Sequence, residues 1–168
     1  NAHLPLIRKV AATGKPLIMS TGLATLVELS EAVVAAREVG CRDIVLLKCT
    51  STYPAEPVDT NLRTIPDLRE RFGCQVGLSD HTLGVGVALA AVAFGATVVE
   101  KHFTLSRSSG GVDAAFSLEP TELRELVTQS ERAWQALGEV AYGPTESECD
   151  SLLFRRSLYI SEDMSAGD

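Results

Sequence analysis

The chain of 168 residues is long enough for one well-buried domain, and its 45% hydrophobic and 22% charged residues are typical of a globular protein, which excludes general disorder. The net charge of −7 argues against nucleic acid or membrane as a partner, because both surfaces are anionic. The four cysteines form no CxxC pair and no apolar run reaches membrane length, so we expect reduced thiols and a cytoplasmic location.

The first part of the chain alternates predicted strands with predicted helices. Residues 15–22 form a buried strand that ends in hydroxyl side chains. Thr25 and Glu28 make a capping box for the helix that follows. A second buried strand spans 43–50 and leads into a Pro-containing loop, and the next helix is predicted over 61–72. This alternation predicts a parallel sheet covered by helices.

The stretch from Gln75 to Phe103 is predicted to contain a strand, a glycine-rich turn, a helix and a second strand. The link is long enough for one crossover helix, so the two strands are expected to be parallel neighbours. Because side chains alternate along a strand, two sets of residues should each share a face, namely Gly77, Ser79 and His81 on the first strand and Val98, Glu100 and His102 on the second. Two imidazoles at matching strand ends, each beside an oxygen-bearing side chain, suit a divalent metal with open positions.

These polar residues also have purely structural explanations. A single buried histidine is more often a hydrogen-bonded core residue than a metal ligand, and a serine or threonine after a strand often caps the next helix. Hydroxyl or imidazole residues, however, end all four predicted strands: Ser20-Thr21, Thr50-Ser51, Ser79 with His81, and His102 with Thr104. Since ligand sites of parallel α/β sheets lie at the carboxyl ends of the strands, we predict a site there.

The segment that follows the fourth strand is polar. Its loop, residues 104–116, contains Asp113 and can close over the strand ends, although an aspartate after glycine is also a common turn residue. Pro120 begins a long amphipathic helix. Its predicted buried stripe consists of Leu123, Leu126, Val127, Ser130, Trp134 and Leu137. Residues 155–160 are predicted to form a short strand.

Six segments resemble the bacterial sialic-acid synthase family, in the order in which the family has them: STGLATLVEL, LLKCTSTYPAEP, VGLSDHTLG, VEKHFTL, VDAAFSLEP and RRSLYI. The resemblance covers essentially the whole chain. It implies an enzyme that condenses phosphoenolpyruvate with an acetamido sugar aldehyde to make a nonulosonic acid. It also implies a homodimer, and a (β/α)₈ TIM barrel followed by a small antifreeze-like domain.

The same resemblance implies that the chain is incomplete. Residues 1–145 match the second, C-terminal half of the barrel, with about four parallel strands and their helices, and residues 146–168 match the linker that follows. The first half of the barrel and the antifreeze-like domain are expected to be absent, so Asn1 and Asp168 are expected to be cut ends. Half a barrel leaves two strand edges unpaired, which predicts instability or pairing with another copy.

The resemblance assigns roles to the metal-binding and catalytic residues. His81 and His102 match the ligands of a divalent metal, with Mn²⁺ or Mg²⁺ being usual. Glu100 and Asp113 match acidic residues that face the sugar and the reacting carbons. The expected catalytic residues are therefore Glu100, His102 and Asp113.

The resemblance also assigns substrate contacts. Ser20 and Ser79 match hydroxyl contacts to phosphoenolpyruvate. Tyr53 matches a sugar contact, and Ser51 lies beside it, where some members have asparagine. Asp113 is expected to contact the sugar as well.

Two segments, LKCTSTYPAEP and GGVDAAFSLEP, look more like pseudaminic acid synthases than N-acetylneuraminate synthases. The expected substrate is therefore a 6-deoxy-2,4-diacetamido hexose, with phosphate released by C–O cleavage. Synthesis of N-acetylneuraminate or legionaminic acid is the alternative within the family, and a noncatalytic sugar-phosphate binding module is the alternative from another class. Because family residues from the absent parts are missing, the isolated chain is expected to be inactive.

Overall fold

The computed structural model describes residues 3–167, so the expected cut ends Asn1 and Asp168 lie outside it. The chain divides into two compact units, one up to Gly138 and one from Glu139 onward. The strands of the described chain belong to the first unit. No helix within residues 3–167 combines the length and the apolar character that crossing a membrane requires.

The first unit consists of β-strands that alternate with α-helices. The strands are β1 (Leu17–Ser20), β2 (Ile44–Cys49), β3 (Gln75–Asp80) and β4 (Val98–Lys101). The helices are α1 (Leu4–Ala11), α2 (Leu26–Glu38), α3 (Thr64–Phe72), α4 (Gly86–Ala93) and α5 (Pro120–Leu137). Short 3₁₀ turns span Pro57–Asp59, Arg107–Ser109 and Ala114–Phe116. The capping box predicted for α2 is present, with Thr25 and Glu28 bonded to each other's backbone N–H groups.

The four strands form one parallel sheet in the order β1-β2-β3-β4. Each strand is followed by a helical segment, and the sheet with its helices is half of a (β/α)₈ barrel, which confirms the predicted fold class. Within residues 3–167, the outer edges of β1 and β4 have no strand partner.

The main hydrophobic core lies between one face of the sheet and helices α1 to α4. Leu46 of β2 and Leu78 of β3 are fully buried in this core. Gly77 of β3 is required by close packing: a Cβ there would lie 2.2 Å from the carbonyl oxygen of Val98 and 2.7 Å from Cδ2 of Leu47. Any larger residue would separate β3 from β4 below the site.

Ile65 of α3 provides a test of this core that lies away from the strand ends. Its side chain is fully buried among the helix-facing residues. We expect Ile65→Ala to lower the free energy of unfolding by roughly 2–5 kcal/mol, because it removes buried methyl groups and leaves a cavity. Urea unfolding followed by circular dichroism measures this change, and a loss well below that range would contradict the packing described.

Two sequence predictions about secondary elements are wrong. In α5 only Leu126 of the predicted stripe is buried, whereas Trp134 and Val127 are each 64% exposed, because no described segment covers that face. These side chains border an apolar groove, the α4–α5 groove, together with Val92 and Val99. Residues 155–160 form no strand in the described chain. Leu158, Tyr159 and Ile160 are exposed there, and their unit, which holds a 3₁₀ stretch from Glu146 to Phe154, offers no strand to pair with.

Candidate active site

A cleft of about 390 Å³ lies at the carboxyl ends of the strands. Its lining combines hydroxyl, imidazole and carboxylate groups from all four strand ends: Ser20, Gly22, Cys49, Ser51, Tyr53, Ser79, His81, Glu100 and His102. Every site residue singled out from the sequence is in this lining except Asp113, which lies beside His102. Parallel strands bring these ends together because they all point the same way.

Ser79 and Glu100 are paired across β3 and β4. They are register partners, and the Ser79 hydroxyl donates a hydrogen bond of 2.7 Å to Oε1 of Glu100. The shared face predicted from strand alternation is therefore present. A serine hydroxyl has one proton, so Ser79 can offer an anionic ligand a donor only by leaving Glu100.

His81 is buried and held in one orientation. Its Nδ1 lies 2.8 Å from the carbonyl oxygen of Thr50, which can only accept, so Nδ1 carries the proton. The Nε2 atom is left with its lone pair free. A histidine that donates one ring N–H to a backbone carbonyl is the usual arrangement for metal ligation through the other nitrogen. The Thr50 contact is a backbone contact, which no sequence signal could have identified.

His102 faces His81 at the neighbouring strand end. The ring centroids are 5.3 Å apart, at an interplanar angle of 65°. Nδ1 of His102 lies 3.6 Å from Oδ2 of Asp113, which is an electrostatic contact longer than a hydrogen bond. Asp113 thus lies beside the cleft and is placed to orient the His102 ring.

Two aromatic rings flank the histidines. The centroid of the Tyr53 ring lies 4.2 Å from that of His81, and the centroid of Phe116 lies 4.9 Å from that of His102. Tyr53 and Phe116 are themselves 5.8 Å apart. Phe116 is buried and was missed at the sequence level. Its signal was the apolar end of an otherwise polar loop, which indicates that the loop packs back onto the site.

Arg107 anchors the loop that carries Asp113 to the start of α5. Its backbone N–H donates to Glu119 Oε1 at 2.8 Å, and its Nε donates to the carbonyl oxygen of Ser117 at 3.0 Å. The guanidinium also pairs with Glu122, and this hydrogen bond lowers the pKa of that carboxyl below its ordinary value. Since Asp113 lies between Arg107 and Ser117 in the chain, both ends of its segment are fixed.

The donor set fits a metal with few protein ligands. Within residues 3–167, no group of three or more histidine, cysteine, aspartate or glutamate side chains is arranged to hold an ion. His81 and His102 together offer two imidazole nitrogen donors, and Nε2 of His81 has the lone pair that ligation needs because Nδ1 carries the proton. Such a pair suits a divalent ion that keeps positions for water and substrate oxygen atoms.

The chain is similar to known sugar-acid synthases over almost its whole length. The chain is 42% identical over 162 residues to a pseudaminic acid synthase of Campylobacter jejuni, covering 96% of this chain and 47% of that protein. It is 40% identical over 169 residues to the N,N'-diacetyllegionaminic acid synthase of the same organism, covering 99% and 51%. The structure superimposes on N-acetylneuraminic acid synthetase from Leptospira borgpetersenii with a TM-score of 0.81 and 37% identity, covering 92% of this chain and 54% of that chain.

The chain spans about half the length of the curated relatives it matches. Residues 1–142 match the NeuB family, and this range is most of the chain and includes β1 to β4 and the residues that line the cleft. The histidine pair, the Ser79–Glu100 contact and the loop with Asp113 all fall within the matched segment. The chain belongs to the NeuB family.

Proposed function

We propose that this chain contributes half of the active site of a nonulosonic acid synthase, which condenses phosphoenolpyruvate with an acetamido sugar aldehyde and releases phosphate. The observation that carries the proposal is the pair of imidazoles at neighbouring strand ends, with Glu100 on the same face and Asp113 beside His102. The relatives named as synthases support the same class of reaction. The homodimer implied by the family resemblance is part of the proposal.

The metal is proposed to be Mn²⁺ or Mg²⁺, held by Nε2 of His81 and by His102. When bound, it would polarise the aldehyde oxygen of the sugar. The carbonyl oxygen of Thr50 contacts Nδ1 of His81, and Asp113 contacts Nδ1 of His102, so these two groups orient the rings. Tyr53 and Phe116 pack against the rings and reduce the access of water from that side.

Glu100 is proposed to act on the second half of the reaction. Attack by C3 of phosphoenolpyruvate on the aldehyde carbon forms the new C–C bond and leaves positive charge at C2. A carboxylate on the cleft face can stabilise this charge and orient the water that adds to C2. The resulting tetrahedral carbon then loses phosphate by C–O cleavage, leaving a keto group. Ser20 and Ser51 supply hydroxyls at the neighbouring strand ends, suited to the phosphate and the sugar.

The proposed sugar is the 6-deoxy-2,4-diacetamido hexose that yields pseudaminic acid. The pseudaminic and legionaminic acid synthases of Campylobacter jejuni are almost equally similar to this chain, and both acids derive from 6-deoxy diacetamido hexoses, so the site supports this class of sugar over N-acetylmannosamine. The rings of Tyr53 and Phe116 form an apolar wall beside the histidines, which suits a methyl group better than a hydroxymethyl group. Asp113 can accept a hydrogen bond from a sugar hydroxyl.

A competition assay tests the choice of sugar. In the full-length synthase of which we propose this chain to be a part, the 6-deoxy diacetamido hexose is expected to have a kcat/KM about 10-fold or more above that of N-acetylmannosamine. The two sugars differ by an acetamido group at C4 and a hydroxyl group at C6, and a single small group in a matching pocket is worth about 1–3 kcal/mol. The precursor of legionaminic acid forms a third arm at equal concentration. A preference for either competitor would refute the pseudaminic assignment and leave the synthase class intact. Binding of all three without turnover would instead support a noncatalytic module.

A further inference from the structure

A buried ion pair joins β3 and β4 directly below the two histidines. Nζ of Lys101 lies 2.8 Å from Oδ2 of Asp80, and the two side chains are 3% and 0% exposed. Asp80 and Lys101 are register partners, and each immediately precedes one histidine of the site. The pair therefore links the last residue of β3 to the last residue of β4, and His81 and His102 directly follow these two residues.

The same two side chains hold the turn that follows His81. Lys101 Nζ also donates to the carbonyl oxygen of Thr82, and Oδ1 of Asp80 accepts from both the backbone N–H (2.9 Å) and the hydroxyl (2.8 Å) of Thr82. Thr82 is fully buried. His81 is thus enclosed between two residues, Asp80 and Thr82, that are both tied to the strand carrying His102.

Strand alternation places this network on the side of the sheet opposite Ser79 and Glu100. The Ser79–Glu100 hydrogen bond joins one register pair of β3 and β4 on the cleft side of the sheet. The Asp80–Lys101 ion pair joins the next register pair on the opposite side. The ammonium group of Lys101 donates to Asp80 and Thr82. These contacts indicate that Lys101 stabilises the strand ends and does not bind substrate directly.

Stability alone is a poor explanation for such a pair. Removing two charges from water costs several kcal/mol for each ion, and well-packed apolar residues are often as stabilising as a buried ion pair. A charged pair does, however, fix one geometry, because each of its hydrogen bonds is directional and costly to leave unmade. Because the pair directly precedes two proposed metal ligands, its fixed geometry can determine where those ligands lie.

We propose that Asp80 and Lys101 are positioning residues that set the separation and orientation of His81 and His102 for metal binding. The inference rests on the proposed function, since it takes the two histidines to be the metal ligands. It adds residues that touch neither metal nor substrate and that act through the strand ends. Outer residues that orient metal ligands typically change metal affinity by 10–100-fold when they are replaced.

The test uses the double variant Asp80→Asn/Lys101→Met in the full-length synthase. Asn retains an Oδ1 that can accept from Thr82, and Met fills the volume of the lysine stem, so no charge is left unpaired. Mn²⁺ affinity is measured by electron paramagnetic resonance of the free ion, and stability by urea unfolding. We expect the dissociation constant for Mn²⁺ to rise by roughly 10–100-fold. This rise should be larger than that of a control variant that loses the same free energy of unfolding through a change elsewhere in the core.

Ile65→Ala is the matched control, because it destabilises the core without touching the strand ends. It is expected to keep the Mn²⁺ affinity of the unmodified protein. Wild-type affinity in the double variant, or an equal loss of affinity in Ile65→Ala, would overturn the positioning role. Loss of Mn²⁺ binding in His81→Ala confirms the site on which the inference rests, whereas unchanged binding in that variant would overturn the proposed metal site itself.

Discussion

Replacement of His81 or His102 by Ala in the full-length synthase is expected to lower metal-dependent condensation by roughly 100-fold or more. Each variant removes one of the two imidazoles that line the cleft within residues 3–167, and loss of a direct ligand should exceed the 10–100-fold typical of outer residues. His81→Ala should have the larger effect on affinity, because its ring is already fixed by Thr50 and loses no freedom on binding. The measurement is phosphate release at a series of Mn²⁺ concentrations.

His3→Ala is the matched control for this experiment. His3 is the remaining one of the chain's three histidines, and it lies at the start of α1, where its Nδ1 accepts a hydrogen bond from the backbone N–H of Leu6. It should keep normal Mn²⁺ dependence. Near-normal activity of either site variant in metal-limited buffer would show that the two histidines are not the ligands.

The 168-residue chain alone is expected to release no phosphate from phosphoenolpyruvate. Phosphoenolpyruvate carries a carboxylate and a phosphate, and among the described residues Lys101 is the cation that lines the strand-end site, where its ammonium group is already bonded to Asp80 and Thr82. The net charge of −7 adds general repulsion, so an anionic substrate needs cations from elsewhere. Phosphate release is measured with and without the sugar and Mn²⁺.

The background for this assay is the same chain carrying His81→Ala, and the full-length synthase is the positive control. Equal, baseline release from the chain and its variant is the expected result. Sugar-dependent release from the unmodified chain above that baseline would show that the strand ends described here form a sufficient site.

Strand alternation and chain order were enough to predict the central part of the site. The period-2 pattern in β3 and β4 put Ser79, His81, Glu100 and His102 on one face, and register pairing of Ser79 with Glu100 confirms it. The prediction of the shared face succeeded because β3 and β4 are short and consecutive in the sequence, so no long-range register had to be guessed.

The contacts that were missed depend on atoms or partners that carry no local pattern. The carbonyl of Thr50 that fixes His81 is a backbone group, present at every residue. Phe116 contacts His102 from a loop that Arg107 anchors, and neither contact follows from a periodic pattern in the sequence. The Asp80–Lys101 pair was within reach of the same alternation argument, since the residue before each histidine must face the opposite side of the sheet.

The predicted burial of the apolar stripe of α5 was wrong for a different reason. Amphipathic periodicity shows which side chains favour burial, but it does not show what covers them. Leu126 is buried against residues of α4 and Leu118, whereas Trp134 extends beyond them.

The exposed position of Trp134 has an optical consequence. It is the only tryptophan of the chain, and 64% of its surface is open to solvent at the α4–α5 groove. Indole emission shifts to shorter wavelength when the ring leaves water, so the intrinsic fluorescence of this protein monitors one surface without any added label. A blue shift on titration with another polypeptide would report, in real time, that the groove has been covered.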